Sequence, residues 1–182
     1  MVVGCDDGRV KKLGAGFTIY ACIAFEDLRP IGAHMGLVRV DGLEASSLIS
    51  YSVLASSAGR AEVLFLDSLT IAGFNVVSPA TIEELTGAAT IVTYKYRPSY
   101  ERLHRAFERL QQPELRARIL RLVDRAFKVE TPRGRLYVLH WGISREKALE
   151  VIREYQVHSR IPEPIRIAHD VASEASRIVL KT

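Results

Sequence analysis

The run Val63-Leu64-Phe65-Leu66 narrows the available folds more than any other stretch, because four consecutive apolar residues closed by Asp67 are what a strand covered on both faces presents. Such a strand needs neighbours on both edges and helices above and below. Val2-Val3-Gly4-Cys5, closed by Asp6, has the same form, and Thr90 to Tyr94 forms another strand that ends in Lys95. Further strands are expected at Phe17 to Phe25, Leu37 to Val40, Phe127 to Thr131 and Arg135 to Leu139. A turn at residues 11–16 joins the first two strands, and Arg29-Pro30-Ile31-Gly32 breaks the second from the third. Helices are expected over 42–58, 79–86, 99–110, 113–126 and 144–155. A last helix opens at Pro162 with the apolar stripe Ile165, Ala168, Ala172, Ala175 and Val179. Antiparallel strands followed by alternating strands and helices make a mixed α/β sheet flanked by helices, in one domain over 1–182.

Composition excludes several classes. Hydrophobic residues at 48% and charged residues at 25% are ordinary for a globular chain. No apolar run reaches the roughly 18–20 residues of a membrane span. Asp6 and Asp7 stand where a signal peptide would carry basic residues, so a cytoplasmic protein without a membrane association is expected. Cys5 and Cys22 lack metal-site or disulfide-framework spacing, and buried reduced thiols are expected. One asparagine and three glutamines are a depletion that leans towards a thermophilic source.

Asp6 and Asp67 carry the first chemical signal. If their strands are neighbours, the two carboxylates lie within a few ångström and repel unless a cation sits between them. Hard oxygen donors of this kind suit Mg²⁺ or Mn²⁺ and a substrate phosphate. The structural alternative is that Asp6 opens a turn with Asp7-Gly8 and Asp67 caps the following loop.

Arginine carries the second. Of 25 basic residues nineteen are arginine, and the span from Arg97 to Lys128 holds nine basic against four acidic residues. Arg102, Arg105 and Arg109 share one helical face, as do Arg118, Arg121 and Arg125, which makes a candidate nucleic-acid track. The alternative is a solvated face paired to Glu101, Glu108, Glu114 and Asp124. Asn75, the single asparagine, either caps a loop or contacts a phosphate or base.

Four segments carry a family resemblance. Ser159 to His169, with Pro162-Glu163-Pro164-Ile165-Arg166-Ile167-Ala168 inside it, resembles a stretch of endonuclease V that precedes a metal-associated residue. Ala89 to Lys95, Asp67 to Ala72 and Val3 to Asp6 resemble that family's lysine strand, aspartate loop and first strand, in the same order. Asp41 to Ala45, Ile71 to Val77 and Ile161 to His169 more closely resemble an uncharacterised, mostly archaeal family, domain of unknown function ninety-nine, a relative of endonuclease V. The resemblance implies a ribonuclease H-like fold with the first and fourth strands adjacent. It further implies Asp6 and Asp67 as metal ligands, His169 as an outer ligand or water-orienting group, and Lys95 beside the phosphate. Asp41 is the third carboxylate it suggests, with Glu44 in reserve.

The chain departs from endonuclease V where that enzyme opens the strand. Gly32-Ala33-His34-Met35-Gly36 replaces an aromatic wedge, Ser68 and Thr70 replace pocket glycines, and Gly73-Phe74-Asn75 stands where His-Pro-Arg would follow. The expected function is metal-dependent phosphodiester hydrolysis on DNA or RNA without inosine selectivity, favouring flexible or single strands. The alternative is a non-catalytic module of the same fold that binds nucleic acid or protein.

Overall fold

The two runs that end in aspartate are paired neighbours at the centre of a seven-stranded sheet. Its strands are β1 (Val2–Asp7), β2 (Phe17–Glu26), β3 (Arg29–Arg39), β4 (Val63–Leu66), β7 (Ala89–Tyr94), β8 (Phe127–Thr131) and β9 (Gly134–Trp141). They lie in the order β3-β2-β1-β4-β7-β9-β8, while β5 (Thr70–Ile71) and β6 (Asn75–Val76) form a separate ribbon. β1, β4 and β7 run parallel, and every other pairing in the sheet is antiparallel. The structure is a computed structural model and describes residues 1–10 and 16–180, so the expected turn over residues 11–16 falls mostly outside the described residues.

Alternation along the strands divides the interior in two. Val3, Cys5, Leu64, Leu66 and Val92 face α1 (Ala45–Ser57), α2 (Pro79–Thr86), α3 (Tyr100–Phe107) and α4 (Pro113–Leu120). Val2, Phe65 and Ile91 face α5 (Arg145–Tyr155) and α6 (Glu163–Val179). Burying side chains of this size contributes roughly 1.5–3 kcal/mol each. Ser78, Ser99 and Ser144 cap α2, α3 and α5 through their hydroxyls.

β1 lies unusually close to α6. A Cβ on Gly4 would stand 2.2 Å from the Pro164 carbonyl carbon, and one on Gly8 would stand 2.1 Å from the Ser176 hydroxyl oxygen. The side chain of Asp6, between them on the same pleat, projects into this seam and meets His169 of α6.

Several expectations are corrected. β3 continues through Arg29-Pro30-Ile31-Gly32 because it is the sheet's edge, where a proline without an N–H is tolerated, and a bulge at Ala24/Phe25 absorbs the irregularity. α1 begins at Ala45 rather than 42, since residues 41–44 are held as a turn described below. α3 stops at Phe107, and α4 tightens into a 3₁₀ turn over Arg121–Arg125. On α6 the buried stripe runs through Ile165, Ala168 and Ala172 to Ser176, whose hydroxyl meets Thr18 Oγ1 and the Ile19 N–H at 3.2 Å, while Val179 is exposed.

Cys5 and Cys22 are a disulfide and not free thiols. The β1–β2 register sets them directly opposite, with Cα atoms 4.2 Å apart and both side chains buried, an adjacency that linear spacing does not display. Closing a 17-residue separation limits the unfolded chain by about 3 kcal/mol. Reductant, or the double change Cys5→Ala/Cys22→Ala, is therefore expected to lower the thermal midpoint by roughly 6–12 °C. A wild-type midpoint indifferent to reductant would show the thiols to be unpaired.

Candidate active site

The α6-facing pleat of the central strands carries Gly4 and Asp6 on β1, then Phe65 followed by Asp67 after β4, then Thr93 followed by Lys95 after β7. Parallel pairing of Cys5 with Leu66 and of Leu66 with Val92 brings these strand ends side by side. Asp6, Asp67, Lys95 and His169 line one pocket of about 290 Å³, walled by Ser159, Arg160, Ile161, Ile165 and Arg166. The four residues singled out as catalytic therefore converge.

Asp6 is 5% exposed, and each of its oxygens accepts one hydrogen bond, which leaves acceptor capacity on both. Its Oδ1 accepts the Asp7 N–H at 2.8 Å, and its Oδ2 accepts from His169 Nδ1 at 2.9 Å. That bond raises the His169 pKa above its ordinary value and leaves the far side of the half-open ring towards solvent. Arg166 is tied to Glu163 and Asp170.

A third carboxylate, on the next residue, stands outside the pocket lining but acts on it electrostatically. Asp7 points to the opposite pleat, where its Oδ2 accepts the Ala72 N–H at 2.9 Å. Burial, and then the negative charge of Asp6, push its carboxyl up to about 7. Asp67 lies at the pocket mouth, open to water on one side and surrounded by protein on the others. That surround, followed by the charges of Asp6 and Asp7, likewise raises it to about 7. Asp7 was expected only in a turn with Gly8, and the signal for it was the doubling of aspartate at a strand end.

Crowded oxygen donors suit Mg²⁺ or Mn²⁺, which relieve the repulsion that raises these carboxyls. The donor set fits such a cation, although among the described residues no three His, Cys, Asp or Glu side chains already stand at ligating geometry. An acid whose folded pKa lies above its unfolded 3.8 binds more protons when folded, so its deprotonation costs stability as pH rises from about 4 through 7. His169, raised as well, contributes stability that is present below its ordinary value of 6.5 and is lost as pH rises beyond it. The metal-free chain is thus expected to melt at lower temperature at pH 8 than at pH 5.5, and Mn²⁺ to narrow the gap. A midpoint rising over that interval without metal would contradict the crowding.

Asp41, Glu44 and Asn75 serve other purposes. Asp41 has φ +57°, and its Oδ1 accepts the Phe74 N–H at 2.7 Å. Glu44 accepts from the Arg39 and Leu43 N–H groups, which holds its pKa below the ordinary value against the opposing effect of burial. Both line a separate hollow with Leu110 and Gln111 and are not among the residues lining the Asp6 pocket. Asn75 is wholly buried, its Oδ1 accepting the Ala45 N–H at 2.9 Å and its Nδ2 donating to the Arg39 carbonyl at 3.1 Å. It caps α1 from a distance of thirty residues in sequence, and a nucleic-acid contact is corrected to this buried capping role.

Arg116, which no sequence motif singles out, is fully buried beside them. Its guanidinium donates to the backbone carbonyls of Gln111, Phe74, Asp41 and Gly42.

The six candidate arginines are exposed, and among the described residues none makes a salt bridge. They do not share one surface. Arg118 and Arg121 border a cleft between α3 and α4, with Arg121 over the Tyr100 ring at 5.3 Å. Arg125 instead covers Trp141, which pairs with Thr90 at the end of β7 opposite Lys95. The 3₁₀ turn rotates Arg125 away from the face that an uninterrupted α-helix would give it.

Among the described residues no helix is long and apolar enough to cross a membrane. The sequence profile described as Endonuclease dU matches residues 1–176. The UPF0215 protein of Aeropyrum pernix is 50% identical over 180 residues, covering 96% of this chain and 97% of that protein. The corresponding protein of Pyrococcus furiosus is 32% identical over 180 residues, covering 97% and 92%. A solved structure of a protein of unknown function from Archaeoglobus fulgidus superposes with a TM-score of 0.82 at 24% identity, covering 95% of this chain and 96% of that one. Ciona intestinalis endonuclease V, in complex with DNA containing an inosine followed by a ribo-adenosine, superposes with a TM-score of 0.60 at 16% identity, covering 99% and 85%. At these identities the structures speak for the fold alone, and that fold is the mixed sheet of endonuclease V.

Proposed function

Because the chain belongs to the Endonuclease dU family, we propose that it hydrolyses a phosphodiester bond in DNA with a divalent cation, Mg²⁺ or Mn²⁺, at strands that contain deoxyuridine. The convergence of Asp6, Asp67, Lys95 and His169 in one pocket carries this reading. A cation bound there would polarise the phosphodiester and lower the pKa of a water molecule. Asp6 and Asp67 would supply the oxygens that hold it, and Lys95 would offset charge on the phosphate. Asp6 holds the His169 ring through Nδ1, so a proton exchanged with water or the leaving oxygen would pass through Nε2.

Residues 32–36 lie within edge strand β3 and offer no aromatic wedge, so this reading includes little selectivity for inosine. The test uses labelled single and double strands of DNA and RNA carrying deoxyuridine, inosine or neither, with Mg²⁺ or Mn²⁺. Cleavage of the deoxyuridine DNA strand, with inosine no better than adenosine, is expected. Tenfold selectivity for inosine in duplex DNA would overturn the substrate assignment. A non-catalytic binding module is the second reading, favoured by the lack of a preassembled three-ligand group among the described residues. Strands bound but never cut under any divalent cation would support it.

A further inference from the structure

Tyr96 directly follows Lys95 and, at 77% exposure, is the most exposed large apolar side chain among the described residues. One face of its ring meets the Arg160 guanidinium, whose central carbon lies 5.6 Å from the ring centroid. The other face is left to water. Arg160 also walls the Asp6 pocket and is held from three sides. Its carbonyl accepts from the amide of buried Gln156 at 2.5 Å, its Nη1 donates to the Arg135 carbonyl at 3.4 Å, and Ser159 beside it is bonded to the Ile161 backbone at 3.1 Å. An aromatic plane, backed by a positioned cation, thus stands at the rim of the pocket.

We propose that Tyr96 is a base-stacking platform on which the nucleobase flanking the scissile phosphate lies, with Arg160 backing the opposite face of the ring. This rests on reading the neighbouring pocket as a phosphodiester site. Lys95-Tyr96-Arg97 alternates cation, ring and cation, matching the alternation of phosphate and base along an unpaired strand. Every base has a π-face, so the platform takes any unpaired base without reading its identity. A stacked base is held equally before and during the reaction, so the platform affects KM and not kcat.

The test uses the full chain in chelator with a short single-stranded DNA carrying 2-aminopurine, moved one position at a time. Wild type and Tyr96→Phe are expected to quench the probe at one position. Tyr96→Ala and Tyr96→Leu should fail to quench it and bind about 5- to 150-fold more weakly, the range that loss of one stacked base spans. An abasic residue at that position should erase the difference between the proteins. Equal quenching and affinity for Tyr96→Ala and wild type would overturn the platform, as would the absence of any quenched position. Cleavage is measured in parallel with Mn²⁺. Quenching that depends on Tyr96 without any cleavage keeps the platform and removes the catalytic reading, whereas cleavage with a KM unchanged by Tyr96→Ala does the reverse.

Discussion

Asp67→Asn is expected to reduce strand cleavage about a thousandfold or more, close to 4 kcal/mol of barrier, while strand binding stays intact. The amide keeps the shape of the carboxylate but removes one of the two acidic side chains that point into the pocket from adjacent parallel strands. A second measurement separates this from a folding defect. Asp67 stands against the charges of Asp6 and Asp7, so its neutralisation should raise the thermal midpoint of the metal-free protein at pH 8. Activity falls and stability rises in the same variant, as expected where carboxylates are crowded for chemistry and not for folding. A variant that retains more than a tenth of wild-type cleavage would remove Asp67 from the reaction.

Arg116→Met is expected to cost about 3–5 kcal/mol of stability, roughly 10 °C in the thermal midpoint. Methionine fills much of the same volume, so the loss isolates the guanidinium. The carbonyls of Gln111, Phe74, Asp41 and Gly42 would lose one fully buried donor that all four share. The damage should reach further than α4. Phe74 donates to Asp41, the Asp41 N–H donates to the Ala72 carbonyl, and the Ala72 N–H donates to Asp7. Arg116→Lys keeps a charge with three donors on a flexible stem and should recover only part of the loss. Unfolding of Arg116→Met in denaturant within about 1 kcal/mol of wild type would show that the loops hold without the clamp.

Residues whose placement follows from their own strand were legible in the chain. Asp6 and Asp67 close apolar runs, and a resemblance in motif order added Lys95 and His169. What stayed hidden depends on partners distant in sequence. Arg116 sits between Leu115 and the exposed arginines Arg118, Arg121 and Arg125 of α4 and its 3₁₀ turn, and nothing local separates it from these solvated neighbours. Asn75 looks like a loop residue because the two backbone groups it binds lie 30 and 36 positions away. Cys5 and Cys22 become neighbours only once the β1–β2 register is known. Pro30 reads as a break until β3 is known to be an edge strand, where its missing N–H costs no ladder bond.

The glycine, aspartate, glycine alternation at Gly4, Asp6 and Gly8 makes two routes of evolutionary drift unequal. Loss of the acid at Asp6 removes a side chain from a seam that the flanking glycines already define, so the helix can stay against the strand. A side chain at either glycine would drive into the backbone or hydroxyl of α6 and lift it from the sheet. A lineage under no selection at this carboxylate could therefore surrender it by a single codon change and keep its architecture. Selection for folding alone would go on preserving the frame around the vanished acid, and that frame would remain open to renewed chemistry by the reverse change.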